Sequence, residues 1–216
     1  MTVLSFSAAL RERTWSGHGD SEGAQFMTDL MKGRGTRDDY IALVAQHYFV
    51  YQALEAAAAR FTGDADVMPF LSPALTRMPA LESDLEFLLG ADWLEQIAPL
   101  PTAVRYVERI DTVAADGWGG GFVAHHYTRY LGDLSGGQHI GKLMQRHFGF
   151  ETNGIGFYLF DQIADPSEFK TRYREELDAA DWDAAEQERV IDEVLLAYRL
   201  NSELFVDLAA AKAAAA

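Results

Sequence analysis

The sequence predicts an all-α fold, a single-domain helical bundle. Two observations carry this. Apolar residues recur at spacings of three and four along most of the chain, and no segment sustains the period-two alternation of a half-buried strand. Helix start and stop signals also punctuate the chain repeatedly. The 216 residues, 49% of them apolar, suffice for one sizeable core, and no internal repeat divides them. The domain is expected over residues 1–208, followed by an alanine-rich tail over residues 209–216.

Residues 4–31 read as helix, weakened near Gly17 and Gly19. Gly33 and Gly35 break the chain, and Thr36 with Asp39 three residues on forms a capping-box-like start. That helix is expected to run to about Arg60, rich in aromatics on more than one face. Residues 62–78 are irregular; Pro79 then fits the first turn of a helix to about Leu89. Pro99 and Pro101 mark a break before a helix over residues 103–115, and residues 117–121, four of them glycine, read as a flexible lead. Residues 122–147 follow as one long helix, stopped by Gly149 with Arg146 and His147 in its last turn. After an aromatic connector over residues 151–164, Asp165-Pro166-Ser167-Glu168 starts a helix, and Asp183 with Glu186 starts the last one, to about Leu208.

A formal charge of −15 argues against nucleic acid or an anionic membrane surface as partner. The absence of cysteine excludes disulfides, Cys-ligated zinc or iron–sulfur sites and a thiolate-ligated heme. Histidine is then the plausible soft ligand for a transition metal, with six to consider. No stretch has the form of a signal peptide and no apolar run is long enough to span a membrane, so a soluble, cytoplasmic protein is expected.

The most unusual stretch lies inside the long helix. Gly132, Gly136 and Gly137 each cost about 1 kcal/mol against alanine there. At about 100° per residue, Arg129, Gly132, Asp133, Gly136 and Ile140 share one face. A face without side chains admits either another backbone or a flat ligand. Tight helix–helix packing and ligand contact both remain open on the pattern. Asp133 favours the ligand, because a carboxylate in a dry helix contact is costly unless paired. Elsewhere, Arg11 and His18 are seven apart and so share a face about 10.5 Å along a helix. His18 is either structural or a ligand. Lys170 and Arg174, four apart, form a cationic face that binds carboxylates or simply pairs with Glu168, Glu175, Glu176 or Asp178. Tyr51 is either core or a hydroxyl aimed into a pocket.

The run Ala124-His125-His126-Tyr127-Thr128-Arg129-Tyr130-Leu131-Gly132-Asp133-Leu134-Ser135-Gly136-Gly137-Gln138 resembles the signature segment of the heme oxygenases. Phe26-Met27-Thr28-Asp29-Leu30-Met31-Lys32-Gly33 resembles the segment shortly after that family's proximal histidine. Tyr51-Gln52-Ala53-Leu54-Glu55, Phe169-Lys170-Thr171-Arg172-Tyr173-Arg174 and Asn201-Ser202-Glu203-Leu204-Phe205 resemble further family segments, so the likeness spans about residues 4–208. The resemblance implies heme held between a proximal helix and a kinked distal helix, and its cleavage by O2 and reducing equivalents to biliverdin, CO and ferrous iron. His18 would be the axial iron ligand. Gly132 and Gly136 would let the distal backbone lie on the porphyrin and direct attack to the α-meso carbon, with Gly137 helping the helix bend. Asp133 would hold a water network toward bound oxygen, extended by Arg129 and Tyr51. Arg11, Lys170, Arg174 and Tyr127 would hold the propionates.

A monomer is expected, with a ferredoxin or flavoprotein reductase as electron donor and Lys142 with Arg146 as a docking pair. His125 is expected to face solvent; His47, His126, His139 and His147 carry no expected role. The rival readings are a heme-binding storage protein, which has no need of Asp133 beside glycines, and a helical module that binds a partner helix. A peroxidase is disfavoured because the distal stretch lacks a histidine–arginine pair.

Overall fold

The structure is a computed structural model that describes the backbone of residues 4–22 and 25–215, and the side chains of residues 4–14 and 25–215. Ten α-helices run in chain order among the described residues: α1 (Phe6–Glu22), α2 (Gln25–Met31), α3 (Arg37–Arg60), α4 (Met78–Leu89), α5 (Trp93–Gln96), α6 (Pro101–Ala115), α7 (Gly119–His126), α8 (Gln138–Phe148), α9 (Pro166–Ala179) and α10 (Ala184–Ala215). No strand occurs among the described residues.

Local chemistry sets the helix starts. Thr36 caps α3: its hydroxyl accepts from the Asp39 N–H at 3.1 Å, and the Asp39 carboxylate accepts from the Thr36 N–H at 2.7 Å. Proline opens the first turn of α4, α6 and α9, where its missing N–H costs nothing. Asp165 caps α9 by accepting from Ser167 and Glu168. Gly149, at φ +71°, ends α8 in the left-handed region.

Helix α10 is the spine, packed against α1, α2, α3, α6 and α7, while α3 packs on α4 and α6. Leu10, Tyr40, Leu43, Tyr51, Tyr106 and Phe122 are among the side chains that the core removes from water. The last helix outruns its expected end near Leu208 and continues to Ala215. Alanine is the strongest helix former, and Lys212 fastens the extension by pairing with Asp39 at 2.7 Å. The glycine-rich lead is likewise helical from Gly119. A side chain at Gly120 would collide with Glu186 and Val190 of α10, so close approach rather than flexibility explains that glycine.

His125 does not face solvent. It is 0% exposed, and its Nε2 lies 2.8 Å from Glu193 Oε1. Arg109 of α6 grips the same carboxylate at 2.7 and 2.6 Å. A wheel gives direction around one helix, not what a neighbour brings, and here α10 brings a carboxylate. Burial pushes the Glu193 pKa up, but the hydrogen bonds from His125 and Arg109 outweigh it and hold it at about 2. His126 is also buried, with Nδ1 2.9 Å from the Tyr173 hydroxyl.

The long helix of the central stretch is not uniform. Between α7 and α8 it widens into two π-helical turns, Tyr127–Leu131 and Asp133–Gly137. π turns inside α-helices cluster at functional sites. Gly132 keeps ordinary right-handed angles, φ −60° and ψ −50°, so it is not there for backbone freedom.

Candidate active site

Below the π turns lies a cavity of about 720 Å³, walled by α2, α3, the π turns, α8 and α10. Met27 and Met31 come from α2, Leu43 and His47 from α3, Phe205 from α10, and Tyr158 from the connector before α9. The size and largely apolar wall suit a small organic ligand.

The glycines decide between the two readings of the helix face. Among the described residues, a Cβ built on Gly132 or Gly136 would meet nothing within 4 Å, and no neighbouring helix presses on either; both line the cavity. Gly137 differs, because its Cβ would approach Tyr158 Cδ1 at 3.2 Å and Asp133 Cβ at 3.3 Å. Its bareness seats Tyr158. The connector holding Tyr158 is anchored by Asp84, whose carboxylate accepts from the N–H groups of Gly154, Gly156 and Phe157 at 2.8, 2.9 and 2.8 Å. Arg77 adds donors to the Phe157 and Leu159 carbonyls at 3.3 and 2.6 Å.

Asp133 lies between the two open glycines and lines the cavity. It accepts a hydrogen bond from the Tyr51 hydroxyl. Burial raises its pKa to about 6, against the opposing pull of Arg129 and of the Tyr51 hydrogen bond. A carboxyl poised there holds or releases a proton near neutrality. Tyr51 is itself 0% exposed, edge-on to Tyr130 with centroids 5.4 Å apart.

Arg129 is 6% exposed. Its Nη1 donates to Asn201 Oδ1 at 2.6 Å and its Nη2 lies 3.0 Å from His47 Nδ1. The guanidinium carbon stands 4.9 Å over the Tyr51 ring. Its Nε is buried with no partner among the described residues. Tyr51, Arg129 and Asp133 therefore form one cluster at the cavity wall, joined by Asn201 and His47, to which no role attaches from the sequence.

The other expected cations gather along one side of the same helix. Arg11 of α1 and Arg174 of α9 line a second pocket of about 420 Å³. Lys170 Nζ donates to Ser135 Oγ, on the second π turn, at 3.2 Å. Burial raises the Tyr127 pKa while Arg174 and Arg11 pull it down, which places all three together. Burial and then the Arg174 charge lower the Lys170 pKa. Among the described residues, ordinary pairing does not absorb this face. Glu168 reaches Arg172 at 4.0 Å, Asp178 accepts from Ser7 at 2.7 and 3.0 Å, and Arg174 Nε is buried with no described partner. The backbone of His18 belongs to α1, and its side chain lies outside the described residues.

The heme oxygenase family model matches residues 4–207. The chain is 36% identical over 205 residues to heme oxygenase 1 of Synechocystis sp., covering 95% of this chain and 85% of that one. It is 39% identical over 205 residues to human heme oxygenase 1, covering 94% and 71% respectively. Among solved structures, heme oxygenase-1 from Synechocystis in complex with heme superposes with a TM-score of 0.89 at 36% identity, covering 95% of this chain and 92% of that one. Heme oxygenase from Leptospira interrogans gives 0.86 at 32% identity, covering 94% and 98%. With a family match spanning nearly its whole length, this chain belongs to the heme oxygenase family.

Proposed function

We propose that the chain cleaves heme oxidatively to biliverdin, CO and ferrous iron, using O2 and reducing equivalents. The observation that carries this is the wall formed by Gly132, Asp133 and Gly136: two positions open to the cavity flank a carboxyl with a pKa of about 6. A flat tetrapyrrole fits against such a wall, and two carboxylates fit the cationic side, where Arg174 Nε is buried with no partner among the described residues.

Heme, as substrate, supplies the iron at which O2 is activated. The protein contributes the rest. His18 of α1 would supply the imidazole that holds the iron. Arg11, Lys170, Arg174 and the Tyr127 hydroxyl hold the propionates and so fix the in-plane orientation, which directs attack to the α-meso carbon. Gly132 and Gly136 let the helix backbone lie on the ring, and Gly137, by seating Tyr158, closes that side. Asp133 would orient water above the ring and pass a proton through it, with its carboxyl held by the Tyr51 hydroxyl and the network extended by Arg129. The electron donor is a ferredoxin or flavoprotein reductase, for which Lys142 and Arg146 on α8 offer a basic pair. A monomer in a reducing cytoplasm suits a chain with no cysteine. No helix among the described residues is long and apolar enough to cross a membrane.

The test is to add hemin to the purified protein, record its spectrum, and supply a reductant in air. A histidine-type heme spectrum that gives way to biliverdin absorbance with release of CO supports the proposal. A stable complex without ring opening would favour storage, and no heme spectrum would sink the reading altogether.

A further inference from the structure

His47 is a polar group of the cavity wall that the proposed reaction does not use. It projects from α3 and is 7% exposed. Its ring stacks on Phe157, centroids 5.0 Å apart with 29° between planes, and stands edge-on to Tyr51 at 6.4 Å. These contacts fix the ring plane. Nδ1 lies 3.0 Å from Arg129 Nη2. A guanidinium has hydrogens to give and no lone pair with which to accept. Nδ1 is therefore the bare nitrogen, and the ring hydrogen belongs on Nε2. An imidazolium would set two donors and two positive charges against each other in a dry site. Burial, and then the Arg129 charge, hold the His47 pKa well below its ordinary value.

Among the described residues, Arg129 makes no direct hydrogen bond to a carboxylate. Two neutral acceptors hold its fork, Asn201 on α10 at 2.6 Å and His47 on α3 at 3.0 Å, with the Tyr51 ring beneath. We propose that His47 is a positioning residue for the ring-opening reaction: as a neutral imidazole of one tautomer, it holds the Arg129 guanidinium back from Asp133 and keeps that carboxyl able to exchange its proton. The inference rests on the heme oxygenase reading of the site. Freed from His47, the guanidinium turns toward Asp133, whose charge already acts on it, and a closer cation favours the carboxylate over the acid. The other ionisable groups that act on Asp133 stay as they are: Tyr51 from α3, Arg77 ahead of α4, Tyr106 from α6, Tyr158 from the connector, and Tyr130 on its own helix.

The test has two arms. In the first, nitrogen-15 NMR of histidine-labelled full-length protein without hemin reads the tautomer directly. His47 should be hydrogenated on Nε2 alone and remain neutral well below the ordinary histidine midpoint of about pH 6.5. In the second arm, hemin turnover is followed against pH for His47→Leu and His47→Asn. Leucine removes the acceptor, whereas asparagine returns an oxygen near the place of Nδ1. His47→Leu should lower kcat about tenfold with KM within about twofold, and move the acid limb of the profile down by about one pH unit; His47→Asn should restore both. An Nδ1–H tautomer, protonation near pH 6.5, or an unmoved pH profile in His47→Leu would overturn the proposal. If the leucine protein does not fold, the tautomer and His47→Asn profile decide alone, and a shifted profile in His47→Asn overturns it. Wild-type protein that leaves hemin intact would instead overturn the reading of the site.

Discussion

Replacing Asp133 with asparagine should make the hemin-free protein more stable. Burial raises this carboxyl from 3.8 to about 6 in the fold, so folding disfavours its ionised form. The penalty is absent below the unfolded pKa of 3.8, grows as pH rises through about 6, and is constant above that. At ~1.36 kcal/mol per pH unit the full penalty is about 3 kcal/mol at pH 7, roughly 1.6 at pH 5 and about 0.5 at pH 4. Asparagine mimics the protonated acid and keeps an oxygen to accept from the Tyr51 hydroxyl. Urea unfolding of both proteins at the three pH values reads the difference. At pH 7 the gain also corresponds to a rise in Tm of roughly 6–12 °C for a chain of this size. An Asp133→Asn protein that is less stable at pH 7, or whose gain is the same at pH 4, would refute the reasoning. A site group that costs stability to keep charged is what a trade of stability for activity looks like.

Other perturbations separate the roles of neighbouring groups. Gly132→Ala and Gly136→Ala should each stabilise the hemin-free protein by ~0.5–1 kcal/mol, because the new methyl meets none of the described residues and alanine suits a helix better. Hemin titrations of both should show weakened binding, and a loss of stability without hemin would contradict the open face. Arg174→Met should weaken hemin binding by roughly 10- to 100-fold through one lost charge-assisted contact; an unchanged Kd would remove it from the propionate side. Glu193→Gln should cost about 3 kcal/mol at pH 7 by leaving Arg109 and His125 without their anion. Because the folded pKa of Glu193 is about 2 and its ordinary one 4.5, that difference should shrink as pH falls from 4.5 toward 2. Urea midpoints at pH 7 and pH 3 check it.

What the sequence made legible is what local chemistry decides. Thr36 with Asp39, Asp165 with Pro166, and Gly149 mark helix ends through contacts within a few residues, so pattern and structure agree there. The grouping of Arg129, Gly132 and Asp133 on one face was also readable, since it depends on helical geometry alone. What stayed hidden depends on neighbours distant in the chain. Gly132 and Gly137 are the same residue in one helix, yet one opens on a cavity and the other receives Tyr158. His125 is buried because α10 delivers Glu193 to it. His47 reads as one more aromatic position in a buried helix, and only its meeting with Arg129, 82 residues away, gives it a chemical task. The π turns escape a periodicity reading because they shift the register within a stretch that is apolar on several faces.

The central claim is that Asp133, between two open glycines, serves ring opening rather than heme binding or folding. The most direct measurement gives hemin and a reductant in air to the wild-type and Asp133→Asn proteins side by side and quantifies CO and biliverdin. The account predicts that both show a histidine-type heme spectrum with similar hemin affinity, and that only the wild type releases CO and forms biliverdin. Biliverdin from Asp133→Asn at the wild-type yield would contradict it.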